Sequence, residues 1–119
     1  MFEDLLRAWD GEEVAVRHDA EAGAWMFVCV HSTRLGPGAG GTRLKPYAHP
    51  ADGLRDGLRL SSAMTRKNAV AELPLGGGKA VIALPAGAGS RRARSARACS
   101  CGTHRSSSRC TARTGPRVT

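Results

Sequence analysis

One stretch, residues 64–82, constrains the fold of this chain more than any other part of its sequence. It begins in a segment of helical periodicity, passes through Gly76-Gly77-Gly78 and continues as an apolar run after Lys79. A helix that leads through glycines into a continuously apolar strand is typical of α/β architecture, in which helices cover buried strands. We therefore predict an α/β fold with a small mixed β-sheet and helices packed on it.

The preceding sequence supplies the other elements of such a fold. Helical periodicity predicts two helices, and alternating or continuous apolar runs predict three strands. The first two strands are expected to form a β-hairpin, with the second strand covered on both faces. The predicted elements are a helix at residues 2–9, strands at 14–17, 25–30 and 42–45, and a helix from 50 to about 70.

Two lysines stand where a fully solvated lysine would be unusual. Leu60, Met64 and Lys67 share a stripe that we place on the inner side of the second helix, with Arg66 directed to solvent. Lys79 opens a buried strand directly after three glycines, a geometry that lets a ligand lie against the backbone. Each lysine also has a purely structural alternative. Lys67 could be a snorkelling lysine near a helix C-terminus, and Lys79 could guard an edge strand against aggregation.

Two glycine motifs suggest nucleotide binding, but their context argues against it. Gly36, Gly38 and Gly41 match the pattern Gly-x-Gly-x-x-Gly, yet no helical period follows to receive a pyrophosphate, and Pro46 comes soon after. The triple glycine before Lys79 lacks the first glycine and the Ser or Thr of a phosphate-binding P-loop. We interpret the first motif as a turn that lets another group approach the backbone.

Three segments, in order, resemble the N-terminal, substrate-binding domain of the glutamate/leucine/phenylalanine/valine dehydrogenase family. The resemblance extends over about residues 10–82, and the sequences at 31–37 and 41–43 favour the leucine, phenylalanine and valine branch. The segments that carry the resemblance are LGPGAGGTR at 35–43, LRLSSAMTRKN at 58–68 and LGGGKAVI at 75–82.

The resemblance implies roles for individual residues. Lys67 matches the lysine that binds the substrate α-carboxylate, and Lys79 matches the catalytic lysine, a general base that acts on water and on the amine. The positions that match the substrate-lining glycines and the side-chain pocket are Gly40, Gly41, Ala39 and Met64. The implied reaction is reversible oxidative deamination of an L-amino acid, with NAD as the hydride acceptor and a 2-oxo acid and ammonia as products.

The composition changes abruptly where the resemblance ends. Residues 1–82 carry ten basic and ten acidic side chains, whereas residues 83–119 carry eight arginines and no lysine or acid, so the net charge of +8 belongs to the tail. The resemblance also implies a carboxylate that orients the catalytic lysine, in an Asp-Val-Gly-Thr-like segment well beyond Lys79, and an NAD-binding Rossmann domain, and neither has a counterpart here. We predict a partial substrate-binding domain at 1–85 and a basic tail at 86–119 that is either disordered or the frameshifted translation of a GC-rich gene.

The sequence of the tail gives only weak evidence for a function of its own. Cys99, Cys101, His104 and Cys110 lack the paired Cys-x-x-Cys spacing of structural zinc sites, so no metal site is predicted. An arginine-rich arm without aromatic side chains would bind nucleic acid without sequence specificity. The absence of a long apolar run argues against a membrane span or signal peptide, and the cysteine usage favours the cytoplasm.

Three interpretations compete at this stage. The first is a truncated amino-acid dehydrogenase. The second is a domain that binds a small molecule without catalysing a reaction, and the third is a basic protein associated with nucleic acid. We favour the first, and the family resemblance then also implies a homo-oligomer in the full-length protein. Because the partner aspartate and the NAD domain are missing, we expect the 119-residue chain alone to show no amino-acid-dependent reduction of NAD. The two pocket residues Ala39 and Met64 do not identify the substrate.

Overall fold

The computed structural model describes residues 2–88, which form the predicted α/β fold. Every predicted helix and strand is present, and one short strand is additional. The hypotheses about residues 89–119 lie outside the described residues and stay predictions. The elements are α1 (Phe2–Trp9), β1 (Glu13–Asp19), β2 (Ala24–Ser32), β3 (Gly38–Ala39), β4 (Thr42–Tyr47), α2 (Pro50–Val70) and β5 (Gly76–Pro85).

The strands form one five-stranded mixed sheet in the order β1, β2, β5, with β3 and β4 both along the far side of β5. β1 and β2 form the predicted antiparallel hairpin, from Glu13 opposite Val30 to Asp19 opposite Ala24. β2 runs antiparallel to β5, whereas β3 and β4 run parallel to it. Because β5 is an interior strand, the alternative that Lys79 guards an edge strand is wrong.

Helix α2 packs on the sheet through small residues. Gly53, Gly57 and Ser61 are buried along its inner face. A methyl group added at Gly57 would lie 2.9 Å from Sγ of Cys29 and 3.3 Å from Cγ2 of Val81. These distances are too short for an ordinary side chain, so glycine allows the helix backbone to approach β2 and β5 closely.

The prediction that Leu60, Met64 and Lys67 face inward is therefore wrong, because α2 is rotated differently about its axis. Leu60 and Met64 are half-buried and Lys67 is exposed, so this stripe lies along the flank of the helix. The glycine-containing face turns inward because it allows the closest packing against the sheet. Arg66 is exposed, as predicted. The buried helix positions are Gly53, Leu54, Gly57, Leu58, Ser61 and Asn68.

The central strands are covered on both faces, as predicted for β2. Toward the helices, Phe27, Cys29 and Val81 pack with Leu54 and Leu58. Burial raises the pKa of the Cys29 thiol to about 11, so this thiol stays protonated at neutral pH. The buried residues of the other face are Ala22, Ala24, Met26, Ile82 and Leu84.

Asp56 joins α2 to β4. Its Oδ2 accepts hydrogen bonds from the Tyr47 hydroxyl at 2.7 Å and the Arg43 guanidinium at 2.8 Å, and its Oδ1 accepts one from Arg59 at 2.9 Å. The hydrogen bond from Tyr47, reinforced by those from Arg59 and Arg43, holds the pKa of Asp56 well below its usual range. The carboxylate therefore anchors the strand that carries Arg43 to the helix.

We expect Asp56→Asn to lower the free energy of unfolding by about 1–2 kcal/mol at pH 7, because an amide accepts these hydrogen bonds less strongly than a carboxylate. The pKa of Asp56 is lower in the folded state than the unfolded value of about 3.9. Its contribution is therefore present above about pH 4 and is lost as the pH falls through the folded pKa. Urea denaturation between pH 7 and pH 2 measures this loss.

Asp52→Asn is the matched control. The ion pair of Asp52 with Arg55 spans 3.3 Å, and its side chains are 45% and 53% exposed, so solvent screens it. We expect this variant to keep wild-type stability within about 0.5 kcal/mol. A deficit of Asp56→Asn that stayed constant down to pH 2 would contradict the proposed stabilisation.

Candidate functional site

Five of the six sequence-predicted site residues, all except Lys67, lie together where β3 and β4 pass alongside β5. The pairing with β5 continues from Ala39 to Thr42 without a shift in register. Gly40 and Gly41 occupy the two positions between these strands, and Gly41 therefore lies level with Lys79. The parallel edge of the sheet thus brings two segments, far apart in sequence, into one place.

Gly40 is packed against the backbone of β5. A methyl group at Gly40 would overlap the carbonyl oxygen of Gly78 and would lie 3.4 Å from Cγ of Met64. No other residue type fits at this position without moving one of the strands. Gly40 is therefore a close neighbour of Met64.

Gly41 is exposed, and the ammonium group of Lys79 lies beside it. A methyl group at Gly41 would lie 3.5 Å from Nζ of Lys79, with no other non-neighbouring atom of the described chain among its contacts within 4 Å. The carbonyl of Gly41 accepts the N–H of Ala80 at 3.3 Å, which fixes the two strands side by side. A small molecule can therefore occupy the open space at Gly41 in contact with the lysine.

Lys67 is exposed in the last turn of α2, one turn beyond Met64. The partial negative charge at the C-terminus of a helix favours a lysine at this position. Among residues 2–88, neither Lys67 nor Lys79 has an ion-pair partner, so both ammonium groups are available to an anion. The end of α2 that carries Lys67 is the end that borders Gly40.

The triple glycine does not form an open surface for a ligand, contrary to the prediction. All three glycines are buried strand residues of β5 rather than a turn. A methyl group at Gly76 would overlap the carbonyl oxygen of Ser32, and one at Gly77 would overlap the hydroxyl of Thr65. Other parts of the chain fill the space left by the missing side chains, whereas Gly41 is exposed and has open space beside it.

Three polar residues at this end of the molecule were not selected from the sequence. The amide of Asn68, whose residue is 6% exposed, donates a hydrogen bond to the carbonyl of Gly76 at 2.7 Å. Nδ1 of His31 lies 2.8 Å from Oγ1 of Thr65. The sequence signal for Asn68 is a polar residue in register with the small residues of the inner face. Asn68 can be recognised as a buried residue in this way only once the rotation of α2 about its axis is known.

The described residues do not fit a dinucleotide. The Gly-x-Gly-x-x-Gly pattern that ends at Gly41 leads into strand β4 rather than into a helix, so no helix N-terminus receives a pyrophosphate. Residues 2–88 also contain no group of three or more His, Cys, Asp or Glu side chains that could hold a metal ion. An apolar cleft of about 390 Å³ beside Phe2 and Leu54 lies at the other end of α2 and includes neither lysine.

No helix in the described part of the chain is long and apolar enough to cross a membrane.

Comparison with known proteins shows to which family the part of the chain that contains this site belongs. The chain matches, over residues 13–106, the family described as Glu/Leu/Phe/Val dehydrogenase, dimerisation domain. It is 44% identical to leucine dehydrogenase of Thermoactinomyces intermedius over 79 residues, which are 66% of this chain and 22% of that protein. It is 48% identical to valine dehydrogenase of Streptomyces albus over 71 residues, which are 60% of this chain and 20% of that protein.

The fold has the same relatives. L-tryptophan dehydrogenase of Nostoc punctiforme superposes with a TM-score of 0.64 at 40% sequence identity, over 69% of this chain and 25% of that chain. All of these matches are amino-acid dehydrogenases. The chain belongs to the Glu/Leu/Phe/Val dehydrogenase family, in its leucine, phenylalanine and valine branch, and the resemblance seen in the sequence is confirmed. It spans about a fifth of the length of the curated relatives that it matches.

Proposed function

We propose that this chain forms the substrate-binding part of an amino-acid dehydrogenase that acts on the CH–NH2 group of L-amino acids of the leucine, valine or phenylalanine type. The observation that carries the proposal is the ammonium of Lys79 beside the exposed Gly41, at the edge where Gly40 and Met64 also meet. The similarity to leucine and valine dehydrogenases supports the choice of substrate class.

Lys67 is proposed to hold the substrate α-carboxylate. Its ammonium is exposed, has no ion-pair partner among residues 2–88 and lies on the end of α2 that borders the glycine segment. A charge-assisted hydrogen bond between an ammonium and a carboxylate is stronger than a neutral one. This contact would orient the amino acid, so that its α-carbon faces the space beside Gly41.

Lys79 is proposed to act as the general base. In its neutral form, Nζ takes a proton from water as the water oxygen bonds to the imino carbon of the substrate. The lysine ammonium then gives this proton to the amine nitrogen of the carbinolamine, and the hydroxyl proton passes to Nζ as the C–N bond breaks, which releases ammonia and leaves the 2-oxo acid. The position of Nζ beside an exposed glycine supports this role, because both water and substrate have access there.

The proposed hydride acceptor of the complete reaction is NAD, and none of residues 2–88 is assigned to it. Self-association is proposed as well, on the strength of the family description as a dimerisation domain. The other partners are then an L-amino acid and its 2-oxo acid.

Titration calorimetry of the 119-residue chain with a branched 2-oxo acid, such as 2-oxoisocaproate, tests the proposal. We expect Lys67→Ala to weaken binding about 10- to 100-fold, since a hydrogen bond to a charged group contributes roughly 1.5–3 kcal/mol. The matched control is Arg66→Ala, which removes the same charge from the next helix position. Arg66 is exposed and donates to Oγ of Ser62 at 3.4 Å.

We expect the control to bind within about twofold of wild type, because at physiological salt a charge directed away from the site is largely screened. Equal losses in both variants would mean that net charge alone attracts the anion. That result, or the absence of binding to wild type, would contradict the assigned site.

The purified 119-residue chain is expected to show no amino-acid-dependent reduction of NAD. The reason is that residues 2–88 offer no dinucleotide-binding turn and residues 83–119 contain no acid to orient Lys79. A spectrophotometric assay with leucine, valine and phenylalanine measures this. Turnover with any of them would contradict the expectation and would place the remaining catalytic groups within this chain.

A further inference from the structure

One buried amide lies where α2, β3 and β5 meet, three of the elements that build the proposed site. Nδ2 of Asn68 is 2.7 Å from the carbonyl oxygen of Gly76 and 3.5 Å from the carbonyl oxygen of Ala39. Gly76 belongs to β5, Ala39 belongs to β3, and Asn68 belongs to α2. One side chain thus joins the two strands that converge at the site to the helix that carries Lys67.

The chemistry of this contact requires the amide nitrogen. Both partners are backbone carbonyls, which only accept hydrogen bonds, so the NH2 group of Asn68 must face them. Asn68 is 6% exposed, and water therefore cannot easily replace either bond. Asn68 also follows Lys67 directly, and its backbone carbonyl accepts the N–H of Leu73 at 3.0 Å, which holds the end of the helix.

We infer that Asn68 is a positioning residue of the proposed site. Its amide binds the carbonyls of Ala39 and Gly76 and thereby fixes the register of β3 along β5. This register in turn fixes the positions of Gly40 and Gly41. By lying in the last turn of α2, it also fixes the backbone that carries Lys67. Asn68 thereby sets the spacing between the carboxylate-binding lysine and the exposed space beside Lys79. This inference rests on the proposed function.

The alternative is that Asn68 stabilises the fold without influencing ligand binding. A stability measurement cannot separate the two roles, because both predict a less stable variant. Ligand affinity, measured at a temperature where every variant is folded, does separate them. A second observable is the hydrogen exchange of the Ala80 N–H. This group bonds to the carbonyl of Gly41 at 3.3 Å, so its protection reports the pairing of the strands at the site.

The experiment uses Asn68→Leu in the 119-residue chain, since leucine keeps the volume and removes the donors. The control is Leu54→Ala, which leaves a cavity in the core about 20 Å away along the helix axis. Calorimetry with 2-oxoisocaproate is expected to show an affinity loss of about 10-fold or more for Asn68→Leu and a change within about twofold for Leu54→Ala. Asn68→Leu is also expected to lower the protection of Ala80 relative to amides of the β1–β2 hairpin.

Each result decides between the two roles. Wild-type affinity in a folded Asn68→Leu chain, or equal losses in both variants, would overturn the positioning role. If the wild-type chain binds no 2-oxo acid, the proposed function fails, and the exchange of Ala80 alone then decides. A selective loss of protection in Asn68→Leu supports the inference that Asn68 sets the strand spacing, and unchanged protection overturns it.

Discussion

Replacing Gly77 with alanine is expected to destabilise this domain strongly. The added methyl group would overlap both Oγ1 and the backbone nitrogen of Thr65, and would lie 2.6 Å from the carbonyl oxygen of Ser61. Two of these three atoms belong to the backbone of α2, so no change of side-chain rotamer relieves the contact. The helix itself must move away from β5, and the packing between them is lost.

We expect a loss of at least about 3 kcal/mol in the free energy of unfolding, at or above the upper end of the range for overpacked cores. Small domains have only about 5–15 kcal/mol in total. Urea denaturation followed by circular dichroism measures the loss. Gly41→Ala is the matched control, because a methyl group there meets no backbone atom within 4 Å. A Gly77→Ala chain as stable as this control would show that α2 does not rest on β5 at this point.

The same glycine illustrates what the sequence could and could not predict. Helical and alternating periodicity identified the helices and the hairpin, because a half-buried element must repeat its apolar residues with the period of its backbone. The role of Gly77 was misread, because a glycine looks the same in a sequence whether a ligand or a helix fills the space beside it. The answer depends on contacts with Ser61 and Thr65, which lie in another element.

The rotation of α2 was misread for a related reason. Leu60 and Met64 form one apolar stripe and Leu54 and Leu58 form another, and the helix turns the second stripe, with Gly53 and Gly57, toward the sheet. Small residues gain little from burial themselves and instead allow large neighbours to pack more closely. Because α2 carries two apolar stripes, its apolar pattern locates the helix but does not decide which stripe faces the sheet.

The parallel pairing of β3 and β4 with β5 also could not be predicted from local sequence patterns. More than thirty residues separate the paired positions Ala39 and Gly77, and no turn joins them. Residue roles within the site could be anticipated only through the family motifs, since Gly40 and Gly41 carry no chemical group of their own. The structure adds the distinction between them, because Gly40 is packed against Gly78 and Gly41 faces open space.

That distinction leads to the second large effect, in which Gly41→Ala is expected to fold normally and to lose ligand binding. The backbone at Gly41 does not adopt the left-handed conformation that only glycine tolerates, and the new methyl group has room. It would, however, occupy the space 3.5 Å from Nζ of Lys79, where we propose that the substrate lies. We expect the affinity for 2-oxoisocaproate to fall about 10- to 100-fold, which corresponds to an overpacking penalty of roughly 1–3 kcal/mol.

Ligands of different size show which part of the substrate the methyl group meets. If it meets the 2-oxo acid group that reacts beside Lys79, pyruvate and 2-oxoisocaproate should lose affinity by the same factor. If it lines the side-chain pocket, 2-oxoisocaproate should lose much more than pyruvate, because only the larger ligand reaches the pocket. The position of Nζ beside this glycine favours the first result. A folded Gly41→Ala chain that binds both ligands with wild-type affinity would exclude Gly41 from the site, and with it the placement of the substrate between the two lysines.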